Sequence, residues 1–142
     1  MPGGAVLIVG GTHGLGLELA KHFAGKDGEV IVTGRDPQRA AAAAREIGHG
    51  TRGLGFDLAE PTKIAPALKD VGPLHHLVLA AIERDENKIR DYDVGRALRL
   101  VTLSWSAIPR WSTPSTPAWE RIAPSSFLAV GRRTNPTAGR RW

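Results

Sequence analysis

Short apolar runs alternate with amphipathic stretches along the first hundred residues of the chain. The apolar runs, such as residues 5–9, are continuous and largely β-branched, which predicts strands buried on both faces of a parallel sheet. Between the runs, Leu15, Leu19 and Phe23 recur at the spacing of one helix face. The predicted strands cover residues 5–9, 29–33, 52–56 and 74–80, and the predicted helices cover residues 14–24, 37–47, 61–70 and 89–103.

This alternation of strand and helix predicts right-handed crossover connections and therefore an α/β fold with a doubly wound parallel sheet. We expect the strand order 3-2-1-4, with a ligand lying across the carboxyl ends of the strands. The second helix has the clearest boundaries. Asp36 is its predicted N-cap, Pro37 occupies its first position, and Gly48 follows its last residue.

The character of the chain changes after Ser104. Residues 105–142 contain all four tryptophans and no lysine, and they show no helical or strand periodicity. We therefore predict one domain at 1–104 and an irregular, basic tail rich in Trp, Pro, Ser and Arg at 105–142. The tail has six arginines against the single Glu120, whereas residues 1–104 balance 13 basic against 13 acidic side chains. The net charge of +5 thus gives no indication of a nucleic-acid docking face on the domain itself.

Composition excludes several kinds of site. The chain has no cysteine, so a disulfide or a thiolate metal site is impossible, and its five histidines lack metal-ligand spacing. No apolar run is long enough to span a bilayer, and the N-terminus lacks the basic stretch of a signal peptide. We therefore expect a cytoplasmic protein without a metal or a membrane partner.

A glycine-rich turn, Val9-Gly10-Gly11-Thr12-His13-Gly14-Leu15-Gly16, lies where the first predicted strand passes into the first helix. A diphosphate needs backbone N–H groups at close range and the positive end of a helix dipole, and glycine avoids a Cβ that would block the approach. Gly10 would permit the tight turn, Gly14 the close approach, and Gly16 the packing of helix on strand. The predicted dinucleotide contacts in this turn are Gly10, Thr12, His13, Gly14, Leu15 and Gly16.

With this motif, residues 5–104 resemble the N-terminal part of the short-chain dehydrogenase/reductase family. The family pattern Thr-Gly-x-x-x-Gly-x-Gly falls on Val9, Gly10, Gly14 and Gly16, with Val9 replacing the usual threonine. The resemblance implies a Rossmann-type domain, here only partial, from an oxidoreductase. Such an enzyme transfers hydride between a nicotinamide cofactor and a small-molecule carbonyl or alcohol substrate.

The end of the second strand favours NADP(H) over NAD(H). In the family an acidic residue at this point binds the ribose hydroxyls of NAD, but here the strand runs into Gly34-Arg35. Arg35 can donate charge-assisted hydrogen bonds to a 2′-phosphate, and His13 falls where NADP-preferring relatives carry a basic residue. Asp36 follows, but its position before Pro37 favours helix capping over ribose binding.

Two further segments match the family's cofactor site. Asp57-Leu58, after the third strand, resembles the family's Asp-hydrophobic pair at the adenine ring. The segment at 77–82 occupies the place of the family's Asn-Asn-Ala-Gly segment but has lost both asparagines and the glycine. The resemblance therefore implies backbone contacts of Ala80 and Ala81 to the cofactor ribose in a divergent branch.

No catalytic residue can be assigned. The family's catalytic Tyr and the Lys four residues later are absent, because the single tyrosine, Tyr92, is followed by Arg96 at that distance. We interpret Tyr92 as a packing residue of the fourth helix. The chain is therefore predicted to hold a nucleotide but to lack a proton donor for carbonyl reduction. The alternative is a non-catalytic nucleotide-binding or interaction module.

Two hypotheses address the tail. Tryptophan has one codon. If the serines use the commoner TCN codons, a shift of one nucleotide upstream turns Trp105-Ser106 and Trp111-Ser112 into apolar pairs and residues 125–127 into an apolar run. The family has a helix and then a strand here, so a nucleotide lost near Ser104 would explain the tail. Alternatively, the tail is a native disordered arm that contacts nucleic acid or a partner. If the tail adds no strand, residues 74–80 form an open apolar edge prone to self-association.

Overall fold

The computed structural model describes residues 4–26, 28–83, 86–103 and 127–129. Five strands and four helices occupy these residues. The elements are β1 (Ala5–Val9), α1 (Gly14–Phe23), β2 (Val30–Gly34), α2 (Pro37–Ile47), β3 (Arg52–Gly55), α3 (Pro61–Ala67), β4 (Leu74–Leu79), α4 (Val94–Val101) and β5 (Phe127–Ala129). Within them, each helix is too short or too polar to cross a bilayer.

The strands form one parallel sheet in the order β3-β2-β1-β4-β5. The predicted order 3-2-1-4 and the α/β fold class are therefore confirmed. Alternate residues of β1 enter two separate apolar clusters. Leu7 packs with Ile31 and Leu77 on one face, whereas Ile8 packs with Val32 on the other. Burial on both faces explains why the central strand is apolar at every position.

Phe127–Ala129 pair in parallel with Leu77–Leu79 of β4. These three residues of the predicted tail add a strand to the sheet, so the condition for an open apolar edge, a tail without a strand, is not met at Leu77–Leu79. A three-residue apolar segment is too short to show periodicity, and its place in the sheet depends on backbone pairing with a distant strand, which no local pattern indicates. The hypotheses about a lost nucleotide near Ser104 and about a disordered arm concern residues that otherwise lie outside the described ranges.

The fourth helix begins at Val94 rather than at residue 89. Asp93 caps it by accepting a hydrogen bond from the Arg96 N–H at 3.0 Å, and the Asn87 side-chain oxygen accepts one from the Asp93 N–H. Tyr92 therefore precedes the helix and is 61% exposed. The interpretation of Tyr92 as a helix packing residue is wrong, because Asp93 is the N-cap and the helix starts at Val94, two residues after Tyr92.

The predicted cap of α2 is present in the structure. The Asp36 carboxylate accepts hydrogen bonds from the Gln38 and Arg39 N–H groups at 2.8 and 3.4 Å. Its removal leaves two N–H groups at the helix start without this acceptor, so Asp36→Ala should lower the free energy of unfolding by about 1 kcal/mol.

Urea denaturation of the full chain measures this effect. The control is Asp70→Ala, at an exposed aspartate in the turn after α3, which should change stability by less than about 0.5 kcal/mol. Equal losses in the two variants would contradict the capping role.

Candidate nucleotide-binding site

A cavity of about 540 Å³ opens at the carboxyl edge of the sheet. The ends of β1, β2 and β4, the segment after β3 and the start of α1 form its wall. Every residue predicted to contact the dinucleotide lines it: Gly10, Thr12, His13, Gly14, Leu15, Gly16, Arg35, Asp57, Leu58, Ala80 and Ala81. The structure thus brings the predicted residues together around one space, and their binding role stays a prediction.

The glycine-rich turn is fixed by its neighbours on both sides. The Gly10 and Gly11 N–H groups both donate to the Thr33 carbonyl oxygen of β2, at 3.0 and 3.1 Å. Gly10 has φ +84°, and a Cβ there would lie 2.5 Å from the Ala81 backbone nitrogen. The Gly10 amide is therefore used within the protein, and donors for an anion have to come from the start of α1.

The start of α1 offers such donors. Its first intrahelical hydrogen bond runs from the Leu17 N–H to the His13 carbonyl oxygen at 3.4 Å, so the N–H groups of Gly14, Leu15 and Gly16 have no partner within the helix. The N-cap His13 makes no side-chain capping hydrogen bond, and no acidic residue lies in the first turn. Unsatisfied N–H groups and the helix dipole together favour an anion at this position.

Thr12, His13 and Leu15 present side chains to the cavity. The His13 Nδ1 atom lies 3.1 Å from the Thr12 hydroxyl oxygen, and both side chains are at the cavity wall. Leu15 is 59% exposed although it is apolar and belongs to a helix. An apolar side chain beside a set of N–H donors is a common arrangement in ligand cavities, where it adds contact area without competing for hydrogen bonds.

Basic side chains line the cavity where β2 ends. Arg35 follows the last residue of β2 and is 70% exposed, and Arg39 lies in the first turn of α2. Asp36 also lines the cavity, but its carboxylate is engaged in capping α2, as expected. Sequence reasoning missed Arg39, although its place one helical turn after Arg35 is a signal that could have found it.

The segment after β3 forms another part of the wall. The Asp57 carboxylate accepts a hydrogen bond from the Ala59 N–H at 2.9 Å, which shapes the turn that follows the strand. Leu58 is only 7% exposed and belongs mainly to the core. Of the predicted pair, Asp57 therefore presents the polar group, whereas Leu58 contributes a small apolar surface.

An ion-pair network that sequence reasoning missed lies beside Asp57. Arg99 of α4 donates from Nε to both Glu83 carboxylate oxygens at 3.1 and 3.2 Å, and from Nη2 to Asp57 Oδ2 at 2.9 Å. Hydrogen bonds to Glu83 and then to Asp57 raise the pKa of Arg99 above its usual value. Through these contacts, Arg99 joins the segments after β3 and β4 to α4.

The described residues contain no group of three or more His, Asp or Glu side chains placed to hold a metal ion. The cavity wall combines N–H donors, guanidinium groups and small apolar side chains with the carboxylates of Asp36, Asp57 and Glu83, which make hydrogen bonds within the protein. The donors and the apolar side chains suit a phosphorylated ligand with an apolar or aromatic part.

Comparisons with known proteins identify the family and the fold to which this chain is similar. A family model described as short chain dehydrogenase matches residues 4–116. Serine 3-dehydrogenase from Agrobacterium fabrum is 37% identical over 65 residues, which are 46% of this chain and 26% of that protein.

Two solved structures show how far the likeness extends. A short chain dehydrogenase/reductase family protein matches with a TM-score of 0.69 and 32% identity, over 76% of this chain and 46% of that one. A short-chain dehydrogenase from Sphingobium yanoikuyae in complex with NADPH matches with a TM-score of 0.65 and 25% identity, over 78% and 45%. The chain thus spans less than half the length of each of these relatives.

Proposed function

The chain belongs to the short chain dehydrogenase family, a family of oxidoreductases, and from this premise we propose that it forms the NADP(H)-binding part of such an enzyme. In that enzyme, the nicotinamide accepts or donates a hydride, and a carbonyl or alcohol substrate is the other partner. The observation that supports this best is the uncapped start of α1, which opens into a cavity with Arg35 at its rim.

The diphosphate of the cofactor would lie against the first turn of α1. There the N–H groups of Gly14, Leu15 and Gly16 have no partner within the helix and add to its positive dipole end. The hydrogen bonds of Gly10 and Gly11 to Thr33 hold the turn in place before any ligand binds. This preorganisation lowers the entropic cost of binding.

The 2′-phosphate of NADP(H) would be bound by Arg35, with Arg39 close by. β2 ends in Gly34, and the next carboxylate, Asp36, is engaged as the N-cap of α2. The end of β2 therefore has no free carboxylate to accept hydrogen bonds from the ribose hydroxyls of NAD. It has the guanidinium donor of Arg35 instead. The NADPH-bound relative from Sphingobium yanoikuyae supports this choice of cofactor.

The adenine and its ribose would occupy the remaining wall of the cavity. Asp57 and Leu58 lie on one side, and Ala80 and Ala81 lie on the other. The Ala80 N–H donates to the Val9 carbonyl oxygen at 2.8 Å, so the ribose contacts expected there would come from its carbonyl oxygen or from Ala81. The small alanine side chains leave room for this approach.

We propose that this chain is catalytically incompetent by itself. Its single tyrosine, Tyr92, is 61% exposed, lies before α4, and does not line the cavity. Proton transfer to a carbonyl oxygen needs an acid within hydrogen-bond reach of the substrate. The full chain should therefore bind NADPH but show no carbonyl-dependent NADPH oxidation, and turnover with simple aldehydes or ketones would contradict the proposal.

The choice of cofactor is tested by Arg35→Gln. Removal of one charge-assisted contact, about 1.5 to 3 kcal/mol, should weaken NADPH binding by about tenfold to a hundredfold and leave NADH binding unchanged. Isothermal titration calorimetry with both dinucleotides measures the two affinities separately. Arg45→Gln is the matched control, because Arg45 is an exposed arginine in the last turn of α2, away from the cavity.

The Arg45 variant should bind both dinucleotides as the unaltered chain does. If Arg35→Gln lowered the affinities for NADPH and NADH by the same factor, Arg35 would not contact the 2′-phosphate. An unchanged NADPH affinity would contradict the assignment in the same way.

A further inference from the structure

Glu83 stands next to the arginine proposed to bind the 2′-phosphate. It lines the cavity in the segment after β4, and its Oε2 atom lies 4.0 Å from Arg35 Nη1. The Glu83 side chain is 29% exposed, against 70% for Arg35. The carboxylate is therefore the more enclosed and more fixed member of this pair.

Arg99 fixes the position of Glu83. Its Nε donates to both carboxylate oxygens of Glu83, and its Nη2 donates to both oxygens of Asp57. One guanidinium thus contacts both carboxylates at once, Glu83 through Nε and Asp57 through Nη2, and this shared partner restricts the rotamers of Glu83. Glu83 is thus held beside Arg35 by an element, α4, that lies far from Arg35 in sequence.

The charges of this network do not cancel. Arg99 supplies one positive charge, whereas Asp57 and Glu83 supply two negative charges, so the triad keeps about one negative charge at pH 7. The nearest described cation beyond the triad is Arg35, through the contact with Glu83. A 2′-phosphate that binds Arg35 would therefore compete with Glu83 and meet its like charge.

We propose that Glu83 is a specificity-determining residue that weakens the preference of this site for 2′-phosphorylated dinucleotides, and that Arg99 is the positioning residue that holds it there. The inference rests on the proposed function, since it needs a dinucleotide in the cavity. Glu83 lowers the affinity for NADP(H) because it shares Arg35, but it leaves NAD(H), which has no 2′-phosphate, unaffected.

The test is Glu83→Gln in the full chain, with NADPH and NADH affinities measured by calorimetry. The amide keeps the size of the side chain and its acceptor oxygen but removes the charge. NADPH affinity should rise by about twofold to fivefold, as expected when a partly exposed charge contact of this kind is removed, and NADH affinity should not change. Glu83→Ala should give the same gain and replaces Glu83→Gln if that variant does not fold.

Glu46→Gln is the matched control. Glu46 is also a glutamate in an ion pair with a basic side chain, Lys21 at 2.8 Å, but it does not line the cavity. This variant should leave both affinities unchanged. In an Arg35→Gln background, Glu83→Gln should give a smaller gain in NADPH affinity, because the competition for Arg35 is gone and only the like-charge repulsion is relieved.

Arg99→Met tests the positioning role. Without Arg99, Glu83 is no longer held beside Arg35, so NADPH affinity should rise relative to NADH affinity, and Glu83→Gln in the same chain should add no further gain. If Arg99 had a merely structural role, Arg99→Met would lower the affinities for NADPH and NADH by the same factor. That result would contradict the positioning claim.

The outcomes separate this inference from the proposed function. If the unaltered chain binds neither dinucleotide, the proposed function fails. If it binds both and Glu83→Gln leaves the NADPH to NADH ratio unchanged or lowers it, only the inference about Glu83 is overturned. Raising the salt concentration should reduce the gain in NADPH affinity from Glu83→Gln, because dissolved ions screen charge contacts at an exposed arginine.

Discussion

Gly14→Ala is expected to weaken NADPH binding by about a hundredfold or more. Gly14 opens α1 with φ +57°, and apart from its chain neighbours and the backbone of α1, no atom of the described residues lies within 4 Å of the position of its added Cβ. The methyl group would occupy free space at the cavity wall, where the diphosphate has to approach the helix N–H groups. Loss of two charge-assisted hydrogen bonds, each about 1.5 to 3 kcal/mol, accounts for an effect of this size.

Gly50→Ala is the matched control for Gly14→Ala. Gly50 also has a left-handed conformation, with φ +74°, and open space at its Cβ position, but it does not line the cavity. Both variants should lose about 1 kcal/mol of stability, since alanine is strained at positive φ. Only the Gly14 variant should lose NADPH affinity in calorimetry. Equal affinities of the two variants would contradict an approach of the diphosphate at Gly14.

Gly16→Ala is expected to destabilise the fold by about 3 kcal/mol, although the same change in an ordinary helix stabilises it. A Cβ on Gly16 would overlap the Gly10 carbonyl oxygen, and it would lie 2.9 Å from the Gly10 carbonyl carbon and 3.2 Å from the Ala80 Cβ. These are mostly backbone atoms that cannot move aside, so α1 would have to shift off β1 and β4. Urea denaturation gives the change directly.

Gly72→Ala serves as its control. Gly72 has nothing within 4 Å of an added Cβ and no left-handed conformation. Its replacement should be neutral or slightly stabilising, because alanine restricts the unfolded chain more than glycine does. A neutral Gly16→Ala would mean that the helix does not pack against the turn as closely as the structure shows.

Much of the fold could be predicted from the sequence, because local rules and tertiary packing agree there. Ile8 and Val32 are apolar in runs that are apolar at almost every position, and a strand buried on both faces requires that pattern. Asp36 and Pro37 mark the start of α2 by capping and by a fixed φ, which are local properties. The turn between β1 and α1 was predictable for the same reason.

The rest of the site depends on contacts between distant parts of the chain. Arg99 is 16 residues from Glu83 and 42 residues from Asp57, and no local pattern indicates that the three side chains meet. The use of the Gly10 amide by Thr33 is also a tertiary contact that becomes visible only in the sheet. Tyr92 was misplaced because a helical pattern was extended across the cap at Asp93.

The most direct test of the account is a calorimetric titration of the folded full chain with NADPH. The central claim is that the first-turn N–H groups of α1 and the Arg35 guanidinium together hold a 2′-phosphorylated dinucleotide in the cavity. The account predicts saturable binding of one NADPH per chain, tighter than the binding of NADH. Absence of binding for both dinucleotides, with the chain shown to be folded by circular dichroism, would contradict it.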